Sequence, residues 1–381
     1  MIEVSVVIPC LNEEESIASC IKKAQASFAR SNIEGEVIIA DNGSTDRSAE
    51  IAKSLGARVV LETNKGYGSA LRRGIDESRG KYIVMADGDD TYDFTETDKF
   101  VARLREGFDL VMGSRFRGKI LPGAMSWSHR YVGNPILSGM LTLFFGGNVS
   151  DSHCGLRAFT KEAYLKMNLH TTGMEFASEM VIHSLIKKLR ISEIPITYYA
   201  RTGESKLDSF RDAWRHIRFM LLYSPGHLYF IPAALLFVPS VILLVKFLFG
   251  PVWLFGHPWD IRSMVFASIT ALLGWQIINI GFCAVVYADS IGIVENTFMK
   301  RFVRFFDLER LVITGLVIFM VGLLSMGGIF YIWAQKGFGE LHIYEIDTIK
   351  LAIFSLTFIN IGIQLVFTAF LSSMFGIKFR K

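Results

Sequence analysis

The sequence predicts a mainly parallel α/β domain joined to a C-terminal domain of four membrane-spanning helices. Three observations carry this expectation. Up to about residue 225, short β-rich runs alternate with helical stretches and charges are spread throughout. Beyond it come four long apolar runs. The 381-residue chain is 51% hydrophobic and 13% aromatic yet 20% charged, with a mean hydropathy of +0.36. A purely soluble enzyme does not combine these values, but a chain with segregated apolar and charged parts does.

The elements follow in order. MIEVSVVIP has no basic n-region and turns polar by Asn12, so it reads as a strand and not a signal peptide. A helix runs from about Glu14 to Arg30. EVIIAD is a second strand, and TDRSAEIAKSLG a helix ended by Gly56. RVVLE, KYIVMAD and DLVMGS are third, fourth and fifth strands, separated by helical GSALRRGIDESRG and TETDKFVARLREG. Such alternation builds a parallel sheet with helices on both faces. Ligands of such sheets bind beyond the carboxyl ends of the strands.

Those ends are PCLNEEE, DNGSTD, NKGYGSALRRG, DGDDTYD and GSRFRG. One polar turn after a strand is ordinary; five on the same edge indicate a site. Asp41 closes the second strand and can accept from a nucleobase or ribose. Thr45 and Asp46 fit either that site or a helix N-terminus. Gly66 and Gly68 allow backbone to approach a ligand closely. In KYIVMADGDDTYD, Asp87, Asp89, Asp90 and Asp93 crowd one turn although like charges repel. Asp87 and Asp89, at i and i+2, supply hard oxygens for Mg²⁺ or Mn²⁺ bridging to a substrate diphosphate. Asp90 and Asp93 lie around that ion or in solvent.

The apolar runs at about 228–249, 264–288, 311–334 and 350–375 each exceed the roughly 20 residues a bilayer span requires. Lys300, Arg301, Arg304 and Arg310 lie between the second and third, and Lys378, Arg380 and Lys381 follow the fourth. The other loops are poorer in Lys and Arg, so the N-terminal domain and the C-terminus both belong in the cytosol. Segments 209–225 and about 297–310 carry aromatic and basic residues on opposed faces, as interfacial helices do. A helix packed on the soluble domain would look similar. The expected division is therefore 1–208, 209–225 and 226–381.

The net charge of +4 includes no Lys/Arg block and no helix-turn-helix or zinc-finger spacing, so nucleic acid is not an expected partner. Cys10, Cys20, Cys154 and Cys283 show no CxxC spacing and read as reduced thiols, Cys154 as a packed one. His129 and His153 lack metal-ligand spacing. Asp151, Glu175 and Glu179 fit either donor hydroxyls or helix ends. Within the spans, Gln276, Asn279, Asn360 and Gln364 are neutral polar residues able to bridge helices, and a homo-oligomer is compatible with the chain.

VSVVIPCLNEEESI, ADNGSTDRS, NKGYGSALRRGI and MADGDDTYD resemble the family 2 glycosyltransferases, over roughly residues 1–225. The resemblance implies a nucleotide-sugar-binding, glycosyltransferase A-type domain. GSRFRGKILPGAMSWSHRYVGNPILSG and SDSHCGLRAFTKEAY resemble the polyprenyl-phosphate hexose synthases, the subgroup of dolichyl-phosphate mannose synthase and bacterial polyprenyl-phosphate glucosyltransferases. Carried over, the resemblance implies that Pro9, Asn12 and Glu13 flank the nucleotide, with Gly66 nearby, and that Asp41 contacts its base or ribose. Asp87 and Asp89 would hold the metal. Arg115 and Arg130 would grip the acceptor phosphate beside Asn134, and Arg201, Ser205 and Lys206 would face the donor diphosphate. Two positions depart from the family pattern. DGDDT stands for D-A-D-L-Q, so Thr91 or Asp90 must fill the glutamine's place, and Asn42 replaces the second acid of D-D-G-S.

The implied reaction is inverting transfer of a hexose to a dolichyl or undecaprenyl phosphate at the cytosolic membrane face. UDP-glucose is the favoured donor and GDP-mannose the next. Asp89, Arg115 and Arg130 would carry the chemistry, without an obligatory general base. The apolar stretch within 114–147 would dip toward lipid and guide the acceptor. A polysaccharide synthase is disfavoured because Q-x-x-R-W is missing. A translocase or scaffold with a dead transferase domain is disfavoured by the intact acidic pair and by the lack of mid-span charge.

Overall fold

The computed structural model describes residues 2–202, 209–254, 256–290, 305–339 and 346–376. Its internal contacts divide the chain into Met1–Met220 and Leu221–Lys381.

In the first unit the described residues build a seven-stranded sheet of order β3-β2-β1-β4-β6-β5-β7. Its strands are β1 (Val4–Cys10), β2 (Gly35–Asp41), β3 (Arg58–Leu61), β4 (Tyr82–Met85), β5 (Leu110–Ile120), β6 (Arg157–Thr160) and β7 (Ile191–Tyr198). β1 lies parallel to β2 and β4, β2 to β3, and β5 to β7; β6 runs antiparallel to β4 and β5. Val4, Val6, Val7 and Ile8 are all fully buried, because helices cover both faces and the strand needs no polar side.

The helices are α1 (Ile17–Arg30), α2 (Ser48–Ser54), α3 (Tyr67–Asp76), α4 (Thr97–Arg105), α5 (Asn134–Phe145), α6 (Lys161–Met167), α7 (Phe176–Ile186) and α8 (Ser209–Tyr223). α1 buries Ile17, Cys20, Ile21, Ala24 and Phe28, the stripe that a 3.6-residue period dictates.

Three features differ from the sequence expectation. β6 and β7 were not anticipated: four residues give β6 no readable period, and Pro195 interrupts β7, which its edge position tolerates. β5 runs on to Ile120 instead of turning at Ser114, through a register shift between Ser114 and Lys119. Gly118 makes this possible, since a Cβ there would lie 1.9 Å from the Ile196 carbonyl oxygen. Finally, α8 matches the packed alternative for its segment along one face. His216 and Met220 are buried, whereas Trp214, Arg215 and Arg218 are exposed.

Between β5 and β6, the turn His129–Gly133 leads into α5. Trp127, Tyr131, Ile136 and Leu143 are exposed along this stretch, an apolar surface that water alone would not favour.

In the second unit four helices are long and apolar enough to cross a membrane: Gly226–Leu248, Ile261–Ser290, Leu308–Gln335 and Thr348–Phe375. The second packs on the first and the fourth, and the third on the fourth. Glycines let the backbones approach: a Cβ on Gly274 would lie 2.8 Å from Phe237 N, and one on Gly362 2.5 Å from Phe319 N. Lys350 Nζ pairs with Asp260 at 2.8 Å near the starts of the fourth and second spans. Most of the expected second interfacial helix, about 297–310, falls within 291–304, outside the described residues.

Candidate active site

The first two strand ends are laced into one surface. Asn12 takes a left-handed φ of 53°. Its Oδ1 accepts from Thr45 N at 2.7 Å, and its own N–H donates to Ser44 Oγ at 3.0 Å. Asp41 Oδ1 accepts from Ser44 N at 3.0 Å, and Glu13 N donates to Ser48 Oγ at 2.8 Å. Asp46 accepts from both N and Oγ of Ser48 and from Glu14 N, so it starts α2 and pins the first loop. Pro9 is half-buried with its carbonyl facing Gly88.

Asn42 explains its departure from the family pattern. Its Nδ2 donates to the carbonyls of Glu62 and Asn64, and its Oδ1 accepts from Gly66 N at 2.7 Å. A carboxylate has no hydrogen to donate and could not replace it. Gly66 and Gly68 approach protein backbone here. A Cβ on Gly66 (φ 139°) would lie 2.2 Å from Thr172 O, and one on Gly68 2.6 Å from Thr171 O. The loop they touch is held by buried Glu179, whose carboxylate accepts from His170 N and from N and Oγ1 of Thr171.

The acidic turn after β4 is the centre of the site. Asp87 Oδ1 accepts from the buried Tyr67 hydroxyl at 2.8 Å. Asp89 Oδ1 accepts from Thr91 Oγ1 at 2.6 Å, and Asp89 Oδ2 lies 3.4 Å from Arg201 Nη1. Arg201 Nη2 reaches Glu13 Oε1 at 3.2 Å, so one guanidinium ties the acidic turn to the first strand's loop. Desolvation, and then the charge of Asp89, push the Asp87 carboxyl up to about 6, against the pull of Tyr67, Arg201 and Arg115. Tyr92 holds the turn from below: its hydroxyl oxygen accepts from Gly155 N at 2.7 Å, and a Cβ on Gly155 would meet Asp87 Oδ2 at 2.7 Å.

Asp90 does not substitute for the family's glutamine. Its left-handed φ of 62° aims the carboxylate at α1, where it pairs with Lys23 at 2.8 Å and accepts from Ser19. Thr91 is spent on Asp89, and Asp93 caps the short turn at Phe94–Glu96.

Arg115 lies within β5, 6% exposed, and its Nε and Nη2 both donate to Asp151 at 2.7 Å. Two arms of its fork are therefore committed, and only Nη1 has no hydrogen bond among the described residues. The Tyr198 ring lies 5.2 Å from its guanidinium. Glu193 positions the pair by accepting from the N–H groups of Ser150 and Asp151. Arg130 is exposed over the Tyr131 ring, and Asn134 opens α5 one turn later. Arg130 and Asn134 thus share one segment, while no described contact joins them to Arg115. Ser205 and Lys206 lie outside the described residues.

Sequence reasoning missed Tyr67, Tyr92, Glu193 and the Arg115–Asp151 pair. Only Tyr67 left a local signal, as the aromatic inside NKGYG. His153 contacts Ser152 and Ser178 and meets His216 edge-on at 4.4 Å. Cys154 is a packed thiol that burial pushes up to about 12. Arg157, fully buried, donates to the carbonyls of Ser152, Cys154 and Ala177 and fixes the loop that carries Asp151.

The chain is similar to several known proteins. The family model described as glycosyl transferase family 2 matches residues 5–167. The one described as the glycosyltransferase family 2 C-terminal transmembrane region matches 282–376. Haloferax volcanii low-salt glycan biosynthesis hexosyltransferase Agl6 is 41% identical over 98% of this chain and 89% of its own length. The dolichyl-phosphate hexose transferase of the same organism is 31% identical over 55% of this chain and 88% of its own. Among solved structures, Mycobacterium tuberculosis glucosyl-3-phosphoglycerate synthase in complex with Mn²⁺, UDP and product is 25% identical, covering 58% of this chain and 78% of that one, at a TM-score of 0.47.

Proposed function

The chain belongs to glycosyl transferase family 2 and is an integral membrane hexosyltransferase, and from that premise we propose that it transfers a hexose from a nucleotide sugar to a polyprenyl phosphate, with inversion, at the cytosolic face. The observation that carries the donor half is the Asp87–Asp89 pair linked through Arg201 to Glu13. The acceptor half rests on the likeness to a dolichyl-phosphate hexose transferase and on the exposed apolar stretch around Arg130.

The residues fit a divalent cation. No group of three or more His, Cys, Asp or Glu gathers among the described residues. Two carboxylates alone suit Mg²⁺ or Mn²⁺, which keeps sites for water and phosphate oxygens. Burial, and then the charge of Asp89, raise the Asp87 carboxyl, a cost that a bound cation would relieve. When bound at Asp87 and Asp89, such an ion supplies charge against the departing diphosphate.

The chain's own groups do the rest. Asp41, Asn12 and Pro9 border the nucleotide. Arg201 and Lys206 add positive charge where the diphosphate leaves. Exposed Arg130 offers its fork to the acceptor, since guanidinium matches phosphate geometry, and Arg115 adds its Nη1 alone. A lipid monophosphate has a second pKa of about 6 and is already an anion at neutral pH, so it needs orientation and not deprotonation. One displacement at the anomeric carbon then gives the β-linked product of an α-linked donor. UDP-glucose is the favoured donor, GDP-mannose the next. Lys and Arg counts in the loops support the cytosolic orientation.

The test offers purified full-length protein a polyprenyl phosphate, Mg²⁺ or Mn²⁺, and radiolabelled UDP-glucose, UDP-galactose, UDP-N-acetylglucosamine or GDP-mannose in turn. Label is expected in the organic phase with one donor and to vanish with Asp89→Ala. No lipid-soluble label from any donor, with nucleotide-sugar binding intact, would shift the reading to a polysaccharide synthase or a translocase.

A further inference from the structure

Four side-chain amides lie inside the second and fourth spans, and the proposed chemistry uses none of them. Gln276 and Asn279 belong to Ile261–Ser290, Asn360 and Gln364 to Thr348–Phe375, each more than ten residues from either end. These two spans cross in the same direction, because consecutive spans alternate. Ser268 Oγ and Thr357 Oγ1, 2.7 Å apart, fix their register. Seven residues further, about two turns on, Trp275 and Gln364 stand level. Trp275 Nε1 and Gln364 Oε1 are both buried without a hydrogen-bond partner among the described residues. Gln276 and Asn360 are exposed. Within the group, the hydrogen bond found among the described residues is Gln364 Nε2 to Asn360 Oδ1, 2.8 Å.

The helix period says which way these amides turn. Gly274 faces the first span and Gly362 the third. Two residues along a helix rotate a side chain by about 200°. Gln276, two after Gly274, and Asn360, two before Gly362, therefore point nearly away from those neighbours. They border one outer side of the seam between the second and fourth spans, flanked by exposed Ile280, Ile363 and Phe367.

An amide facing hydrocarbon with no partner is unfavourable; Asn279 is buried and Gln364 is turned into the seam with its Nε2 on Asn360, which leaves Gln276 and Asn360 as the amides exposed on this side. The occupant must be polar and uncharged. No Asp, Glu, Lys or Arg lies between Arg262 and Asp289 or between Lys350 and Gly376, so a phosphate group would find no cation there. An amide both donates and accepts, so the same patch rotated by a twofold axis is complementary to itself. We propose that this side of the seam is a self-association surface, where a second copy of the chain docks and Gln276 and Asn360, the latter held by Gln364, exchange interchain hydrogen bonds.

The test uses full-length protein carrying donor or acceptor fluorophores, reconstituted in phosphatidylcholine vesicles at a series of protein-to-lipid ratios. Energy transfer is expected for the wild type. The combined variant Gln276→Leu, Asn360→Leu and Gln364→Leu is expected to need at least about tenfold more protein per lipid to pair. Leucine suits lipid, and hexose transfer reports whether the variant folds. Should the combined variant be inactive, Gln276→Leu and Asn360→Leu singly carry the test, each expected to pair about threefold more weakly. A wild type that stays single at every density would overturn the proposal. So would variants that pair as well as the wild type, which would assign the amides to a polar lipid instead.

Discussion

Asp87 is the residue on which the site turns. It is desolvated, faces a second carboxylate, and has one hydroxyl, Tyr67, donating to it. Hydrogen bonds to a charged group are worth roughly 1.5–3 kcal/mol. Tyr67→Phe should therefore lower turnover about tenfold and raise the divalent-ion concentration needed for half-activity, with the fold intact. An unchanged ion requirement would place the metal elsewhere. Asp151 acts through Arg115. Asp151→Ala leaves a buried guanidinium without its carboxylate, which typically costs about 3–5 kcal/mol. Thermal unfolding in detergent should show a large drop, and wild-type stability would contradict the pairing. The two cases also differ in how they could be read from sequence. Asp87 and Asp89 are visible because charge crowds one turn after an apolar strand. Asp151 is 36 residues from Arg115, and no local pattern announces a partner brought near by sheet pairing.

At the scale of elements, α7 and α8 meet the loop before β6 through His153, Ser178 and His216. Burial, followed by the charges of His216, Arg157 and Arg115, holds His153 well below the ordinary 6.5. The folded chain thus binds this proton less readily than the unfolded chain. Its contribution is complete above 6.5 and is lost as pH falls below that value toward the lower folded one. Asp87, whose folded value is raised, works in the opposite sense. The contrast with His153→Gln isolates the histidine. From about pH 7.5 to about pH 5.5, the wild type should lose more unfolding temperature than the variant. Equal losses would remove the histidine from the account. None of this junction could be read in advance, because its residues are far apart in sequence. The alternation of strands and helices through residue 113 was legible, since each element there is long enough to show its period. The extension of β5 was not, because what allows it is the absence of a side chain at Gly118 against Ile196.

For the whole molecule, segregation of apolar from charged sequence already divided the chain into an α/β domain and four helices long enough to cross a membrane, and the motif resemblance alone implied a transferase. The ends of those helices shift by a few residues from the hydropathy estimate, as caps such as Asp307 accepting from Arg310 N decide them. The donor hexose stayed out of reach because its selection depends on a few hydroxyl contacts from loops. A chelator should abolish transfer, and Mg²⁺ or Mn²⁺ should restore it; activity that persists without divalent ions would exclude the metal. The sharpest test of the whole reading is ³¹P NMR of a polyprenyl phosphate turned over by the full-length protein with its nucleotide sugar. The lipid phosphomonoester resonance should convert to a phosphodiester as nucleoside diphosphate is released, with the anomeric configuration inverted. Release of nucleoside diphosphate while the monoester persists would mean that the lipid phosphate is not the nucleophile.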